Sequence, residues 1–420
     1  MNRFRAGRLS AVLALVCVLG SMAAPVPLRA DVSGPYLAAM QAARDNDYRA
    51  AAAYFVQALA EDPDNIALME QAVSGFIGAG EIAAAVPWAQ RLVAEGVRTQ
   101  APFMVLLADQ VAREDFRQML DDLEAGRSIG PLLDGLTRAW GALGDAGRVS
   151  DALEAFARLA GSPGMDAFGG YHKAVALALV GDFEGALETL SQDSGGLQRT
   201  RRGVFARAQI LSQLERNADA LALLDEMFGT GGDPELDTLR AALDAGEAVP
   251  FDIARTPVEG MAEAFYSIGA ALQGDAPDAQ ALVYARIAAF LRPDHVDALL
   301  LAGSLLDRLS QPLMAIDVYA QIPRESPGYL AAQMGRAQSL FAAERRDEGI
   351  AALFALREKH PEHVQLHIAL GEMLRRSERY AEAADAYSEA IGLIGEIEPR
   401  QWFLHYYRAI SYERIKDWAR

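Results

Sequence analysis

Small and large apolar residues alternate along this chain at helical spacing, and the whole pattern returns every thirty-four residues. Between Val364 and Gly395, Leu370 and Gly371 fall in one helical stretch, Tyr380 opens the next, and Ala383, Tyr387 and Ala390 line one of its faces. Spacings of three and four place these side chains on a single buried stripe. Ala281, Ala315, Gly349 and Ala383 form one ladder, and Ala285, Tyr319, Leu353 and Tyr387 a second. Pro293, Pro327 and Pro361 punctuate the same step. Each unit is too small to bury its own apolar face and must stack on its neighbours, so a period of this length predicts an all-α solenoid. Proline after the second helix of a unit stops that helix.

The step extends toward the N-terminus. Ala51, Phe55, Ala58 and Pro63 repeat the pattern behind Tyr48, Ala85 lies thirty-four beyond Ala51, and Ala152, Ala186 and Ala220 keep the interval. Met119 stands where alanine is due, so the unit around it is degenerate. Between Ala220 and Ala281 the step fails, and there the chain reads Gly229-Thr230-Gly231-Gly232-Asp233-Pro234, then Pro250 and Pro257. A short helix from Pro234 to Ala245, with Asp233 as its N-cap, is expected inside this stretch. The expected organisation is a leader over 1–30, a degenerate solenoid over 31–228, a Gly/Pro-rich joint over 229–259 and a regular solenoid over 260–420.

These residues resemble the tetratricopeptide repeat family, whose pattern of small residue, alanine, aromatic and alanine is met by Gly371, Ala383, Tyr387 and Ala390. Gly395 departs from the family's proline, and Pro399 suggests a four-residue insertion before the next unit. The resemblance implies a right-handed superhelix of antiparallel helix pairs that binds protein partners along its concave surface. Carried over position by position, that surface comprises Asp307, Arg308, Gln338, Phe341, Gln365, Glu372, Arg375, Arg376, Tyr406, Glu413 and Arg414, a groove of mixed charge suited to an extended peptide or a helix. Family members that clamp a terminal carboxylate use Asn at the position held here by Ser304, Gln338 and Glu372, so that clamp is not expected. Trp402 to Tyr412 reads as the first helix of a further unit whose next small residue falls due just past Arg420. The sequence is therefore expected to be a piece of a longer repeat protein. Otherwise its aromatic end, from Trp402 to Trp418, docks a partner or a second copy.

Arg3, Arg5 and Arg8, the apolar run from Ala11 to Ala24, and Ala30 before Asp31 have the layout of a secretory leader. Cleavage after Ala30 or Ala24 is expected, with a retained anchor as the alternative; Val16 before Cys17 argues against lipidation. A periplasmic protein of a Gram-negative bacterium is the expectation. Without the leader's four arginines the chain holds 35 basic and 57 acidic residues, a net charge of −22. Such a surface repels phosphate backbones and argues against nucleic acid as a partner. Cys17 is the one cysteine, so the mature chain has no disulfide or thiolate ligand.

Candidate chemistry is sparse. His360, His363 and His367 cluster in HPEHVQLH, but Val364 stands where the metalloprotease motif needs Glu. A metal or enzymatic role there is the weakest alternative, and packed or solvated histidines are expected. Asp121-Asp122 and the doublets Arg201-Arg202 and Arg345-Arg346 read as solvated. With no nucleophile elbow, P-loop or dinucleotide fingerprint, the sequence points to a non-catalytic scaffold without cofactor or metal. Its rivals are a membrane-tethered assembly factor of the cell envelope and a homo-oligomeric structural protein.

Overall fold

The computed structural model describes residues 33–192, 196–229, 234–395 and 401–419. The expected leader with Cys17, the N-cap role of Asp233 and the insertion near Pro399 lie outside these residues. Among the described residues the chain is helical throughout, with no strand. The first pairs are α1 (Ser33–Arg44) with α2 (Tyr48–Glu61), α3 (Ile66–Ala79) with α4 (Ile82–Ala94), and α5 (Gln100–Ala112) with α6 (Phe116–Glu124). Then come α7 (Pro131–Gly144) with α8 (Val149–Ala160), α9 (Asp166–Leu179) with α10 (Phe183–Gln192), and α11 (Arg201–Gln213) with α12 (Asn217–Phe228). A single helix, α13 (Pro234–Asp244), precedes α14 (Pro257–Ala271) and α15 (Asp278–Leu291). The pairs resume with α16 (Val296–Arg308) and α17 (Pro312–Tyr319), α18 (Tyr329–Ala342) and α19 (Arg346–Lys359), and α20 (Val364–Arg376) and α21 (Tyr380–Ile394), followed by α22 (Phe403–Arg414).

The thirty-four-residue step has two physical bases. Ala51, Ala85, Met119, Ala152, Ala186, Ala220, Ala281, Ala315 and Ala383 are all buried, as are Ala285, Tyr319, Leu353 and Tyr387. Large rings of one helix seat against glycines of its neighbours. The Tyr319 ring lies between Gly303 and Gly335, where an added Cβ would sit 2.5 and 2.6 Å from it, and Tyr387 meets Gly371 in the same way. The second basis is the turn between paired helices, whose residues recur in step at Gly147-Arg148, Gly181-Asp182-Phe183 and Glu378-Arg379-Tyr380. The turn joining the two helices of a unit holds a left-handed residue, as at Asn46, Gly80, Glu114, Gly147, Gly181, Glu215, Ser310, Glu344 and Glu378. One αL residue closes the first helix and reverses the chain. The degenerate unit around Met119 keeps this turn although it has lost its alanine.

The break in register does not break the core. One cluster of buried apolar residues runs from Ala39 to Ala298, past the Gly/Pro-rich stretch. After α13 the chain runs along α11, whose polar residues hold it. Gln209 donates to Asp252 at 2.6 Å and accepts from its backbone N–H at 3.1 Å, while Gln213 donates to the Val249 carbonyl at 2.6 Å. Helix α14 then turns back into the N-terminal segment and packs on α5, α7 and α9, and α15 packs on α3 and α5. Gly260 makes this approach possible, because a Cβ there would lie 2.4 Å from the Trp140 ring of α7. The inner face of the first segment is thus filled by the chain's own later helices.

Gly303→Ala tests the small-to-large packing. Alanine gains about 1 kcal/mol of helix propensity over glycine, but crowding the Tyr319 ring costs about 1–3 kcal/mol. A net loss of stability in chemical denaturation is expected, whereas an unchanged or raised midpoint contradicts the packing.

Candidate functional site

Where α14 enters the first segment it carries Glu263, a carboxylate with no exposed surface. Such a charge persists only when it is paired and fully hydrogen-bonded. Three elements supply its partners. Tyr171 of α9 donates its hydroxyl at 2.7 Å, Arg202 of α11 donates from Nε at 3.1 Å, and His295, which caps α16, bonds through Nε2 at 3.2 Å. Arg202 also reaches Asp297 of α16 at 3.1 Å. Burial pushes the Glu263 carboxyl up, but Arg202 and His295 outweigh it and hold it well below the usual carboxylate range. The Arg201-Arg202 doublet is therefore not uniformly solvated, because its second member is a half-buried counter-ion. Asp122 is likewise buried and accepts from Gln110 and Gln118 at 2.8 Å, contrary to the solvated reading.

The two histidines here are fixed as neutral by their neighbours. His295 Nδ1 accepts from the Ala298 N–H at 3.3 Å, so Nε2 carries the proton given to Glu263. Ser267 donates to the Ala264 carbonyl at 3.0 Å and so accepts from His172 Nε2 at 3.1 Å. This leaves His172 Nδ1 buried with no acceptor for a second proton. Burial pushes His172 down to about 4, against the pull of Glu263.

With the inner face of the first segment filled, the open concave surface lies along α16, α18 and α20. A cleft of about 530 Å³ is floored by Leu300, Leu330, Ala331 and Met334 and edged by Gln338, His363 and Gln365. Its far wall comes from Arg201 of α11, before the break, and Glu235 of α13, within it, which pair with each other. A neighbouring hollow of about 380 Å³ shares Asp297, Leu300 and Ala331 and adds Tyr266, Ser304 and Tyr319. The far wall was invisible to the repeat register, which relates only residues within one segment.

The family-derived residues divide into groups. Gln338 and Gln365 line the cleft. Asp307 ties α16 to its neighbours, accepting from Ser339 at 2.7 Å and Tyr319 at 3.3 Å, and burial pushes its carboxyl up to about 6. Arg308 is drawn aside by a bidentate pair with Asp278 at 2.9 Å. Phe341 is buried, with the Arg376 guanidinium 4.7 Å from its ring, and Arg375 lies 4.2 Å from the Tyr407 ring. Glu372, Tyr406, Glu413 and Arg414 are exposed. His367 is buried and donates from Nε2 to the Pro361 carbonyl at 2.7 Å, a packing role. Among the described residues no group of three His, Cys, Asp or Glu side chains is placed to hold a metal, and no helix is long and apolar enough to cross a membrane.

Stacked helix pairs with a concave cleft define a class of protein built to present a surface. A family model described as tetratricopeptide repeat matches residues 36–101 and 334–396, so those two stretches are similar to tetratricopeptide repeats. No curated protein matches it. Similar solved structures include the P58(IPK) TPR domain, 16% identical, covering 92% of this chain and 99% of that one at a TM-score of 0.27. The Cut9–Hcn1 hetero-tetramer of APC/C is 13% identical, covering 92% and 84% at 0.35. Yeast Tom70 is 11% identical, covering 87% and 77% at 0.30.

The buried histidine gives a signed pH dependence. The unfolded chain protonates His172 near 6.5, whereas the folded chain resists until about 4. Its contribution is therefore complete above pH 6.5 and declines as pH falls toward 4, by up to roughly 3 kcal/mol. Urea titrations across that range are expected to show the decline, and His172→Gln should flatten it. An equal slope in the variant contradicts the assignment.

Proposed function

We propose that this chain is a non-catalytic scaffold that holds a partner polypeptide in the cleft along α16, α18 and α20. The observation that carries the reading is the contrast between the two concave faces. The first is filled by α14 and α15, and the second stays open, with an apolar floor and amide-bearing walls. Apolar floor residues supply contact area, while Gln338 and Gln365 can bond an extended backbone. The ionised groups at the edge, Arg201 with Glu235 and Arg202 with Asp297, neutralise one another rather than serving a reaction. Helices fixed in this arrangement before binding lose little conformational entropy when a partner docks. The basic and apolar leader, together with the Ala/Arg/Gly-rich usage, supports action in the periplasm of a Gram-negative bacterium. A second mode, self-association, is favoured by the exposure of Trp402 (61%), Tyr406 (50%) and Trp418 (76%) at the aromatic end.

Ala331 lies on the floor of both hollows and is exposed. A photo-crosslinking residue at 331 is expected to capture a discrete polypeptide from periplasmic extract. Ala331→Trp should weaken capture through a tag by at least about tenfold, with the helical circular dichroism unchanged. Capture that survives Ala331→Trp undiminished contradicts the cleft as the docking site.

A further inference from the structure

We propose that a second, smaller cleft, between the first repeats and α15–α17, binds a short aliphatic monocarboxylate. The two arginines among the buried residues are Arg286 and Arg292, and their surroundings differ sharply. Arg292 donates to the Asp252 and Ile253 carbonyls and pairs with Asp294 at 3.1 Å. Arg286 is only 7% exposed, and its Nε donates to the Gly78 carbonyl at 3.1 Å. Its Nη2 is buried with no hydrogen-bond partner, and no carboxylate pairs with it among the described residues. The Asp317 carboxylate near it is engaged by Arg49 at 2.7 Å. A buried charge without a counter-ion is costly to the fold and asks for a reason.

That guanidinium lines a cleft of about 260 Å³ together with Arg49, Gly80, Glu81, Phe290 and Gln321. Gly80 keeps the space open, since a Cβ there would lie 3.1 Å from Arg286 Nη1. Burial, reinforced by Arg49, pushes Arg286 down to about 10, which leaves it protonated at neutral pH. With Nε bonded to the Gly78 carbonyl and Nη2 buried, Nη1 beside Gly80 is the guanidinium donor left to pair with a carboxylate oxygen in the cleft. Glu81 at the cleft and Asp317 beside it disfavour a dianion such as phosphate, while Phe290, Leu299 and Val318 offer an apolar wall to a short tail. The volume is below that usual for drug-sized ligands and suits only a few heavy atoms. This site is separate from the concave cleft and does not depend on it.

The test uses the full chain at low ionic strength with isovalerate as probe and isovaleramide as its uncharged isostere. Isovalerate is expected to raise Tm saturably and to give a titratable heat, because it binds the folded state alone; isovaleramide is expected to do neither. Arg286→Met should weaken isovalerate binding by at least about tenfold. Gln321→Glu offers a second route that leaves Arg286 in place, by supplying the missing counter-ion from within the cleft. It should abolish the isovalerate response and raise the ligand-free Tm. The proposal is overturned if wild type gives no saturable response, if isovaleramide matches isovalerate, or if Gln321→Glu responds as wild type does.

Discussion

The carboxylate of Glu263 governs how this chain is arranged. Withdrawn entirely from water, it would cost several kcal/mol if unmatched, and its partners come from α9, α11 and the start of α16. No two of those elements are neighbours in sequence. The requirement to meet at one carboxylate therefore fixes where α14 lies. It also fixes how the segment before the Gly/Pro-rich stretch meets the segment after it. The dry contacts around it, such as Gly260 on Trp140, supply apolar burial, and the ionic cluster supplies the register.

Within each segment a different rule operates. A glycine on one helix leaves room for a ring on the next, and a left-handed residue turns the chain between them. Both rules are local, so each unit can be built almost independently and stability accrues by stacking. The molecule therefore combines a modular solenoid with one long-range constraint.

This division explains what the sequence revealed. The ladders of Ala281 to Ala383 and Ala285 to Tyr387 were legible because they arise from contacts within thirty-four residues. The failure of the step after Ala220 was legible too, but not its consequence, because α14 packs on distant helices, with Glu263 bonded to Tyr171 of α9 from 92 residues away. Arg202 looked like half of a solvated doublet, since its partner Glu263 sits 61 residues on, beyond the break. Of the concave residues named by repeat position, Gln338 and Gln365 line the cleft. The guanidinium of Arg308 pairs with Asp278 instead, which the pattern cannot show. Position within a repeat specifies a face, whereas the direction of a long charged side chain depends on its neighbours.

The filled face and the open face together give the scaffold its polarity. The first segment and α14–α15 form one body, and the cleft is built where that body meets the regular repeats. Native-state hydrogen exchange of the full chain tests this most directly, because it ranks helices by the free energy of exposing them. Amides of α14 should exchange among the slowest in the molecule, together with those of α7 and α9 and far more slowly than those of α22. If α14 instead exchanges as fast as α22 while α7 and α9 stay protected, it is a detachable linker and the single-body account is wrong.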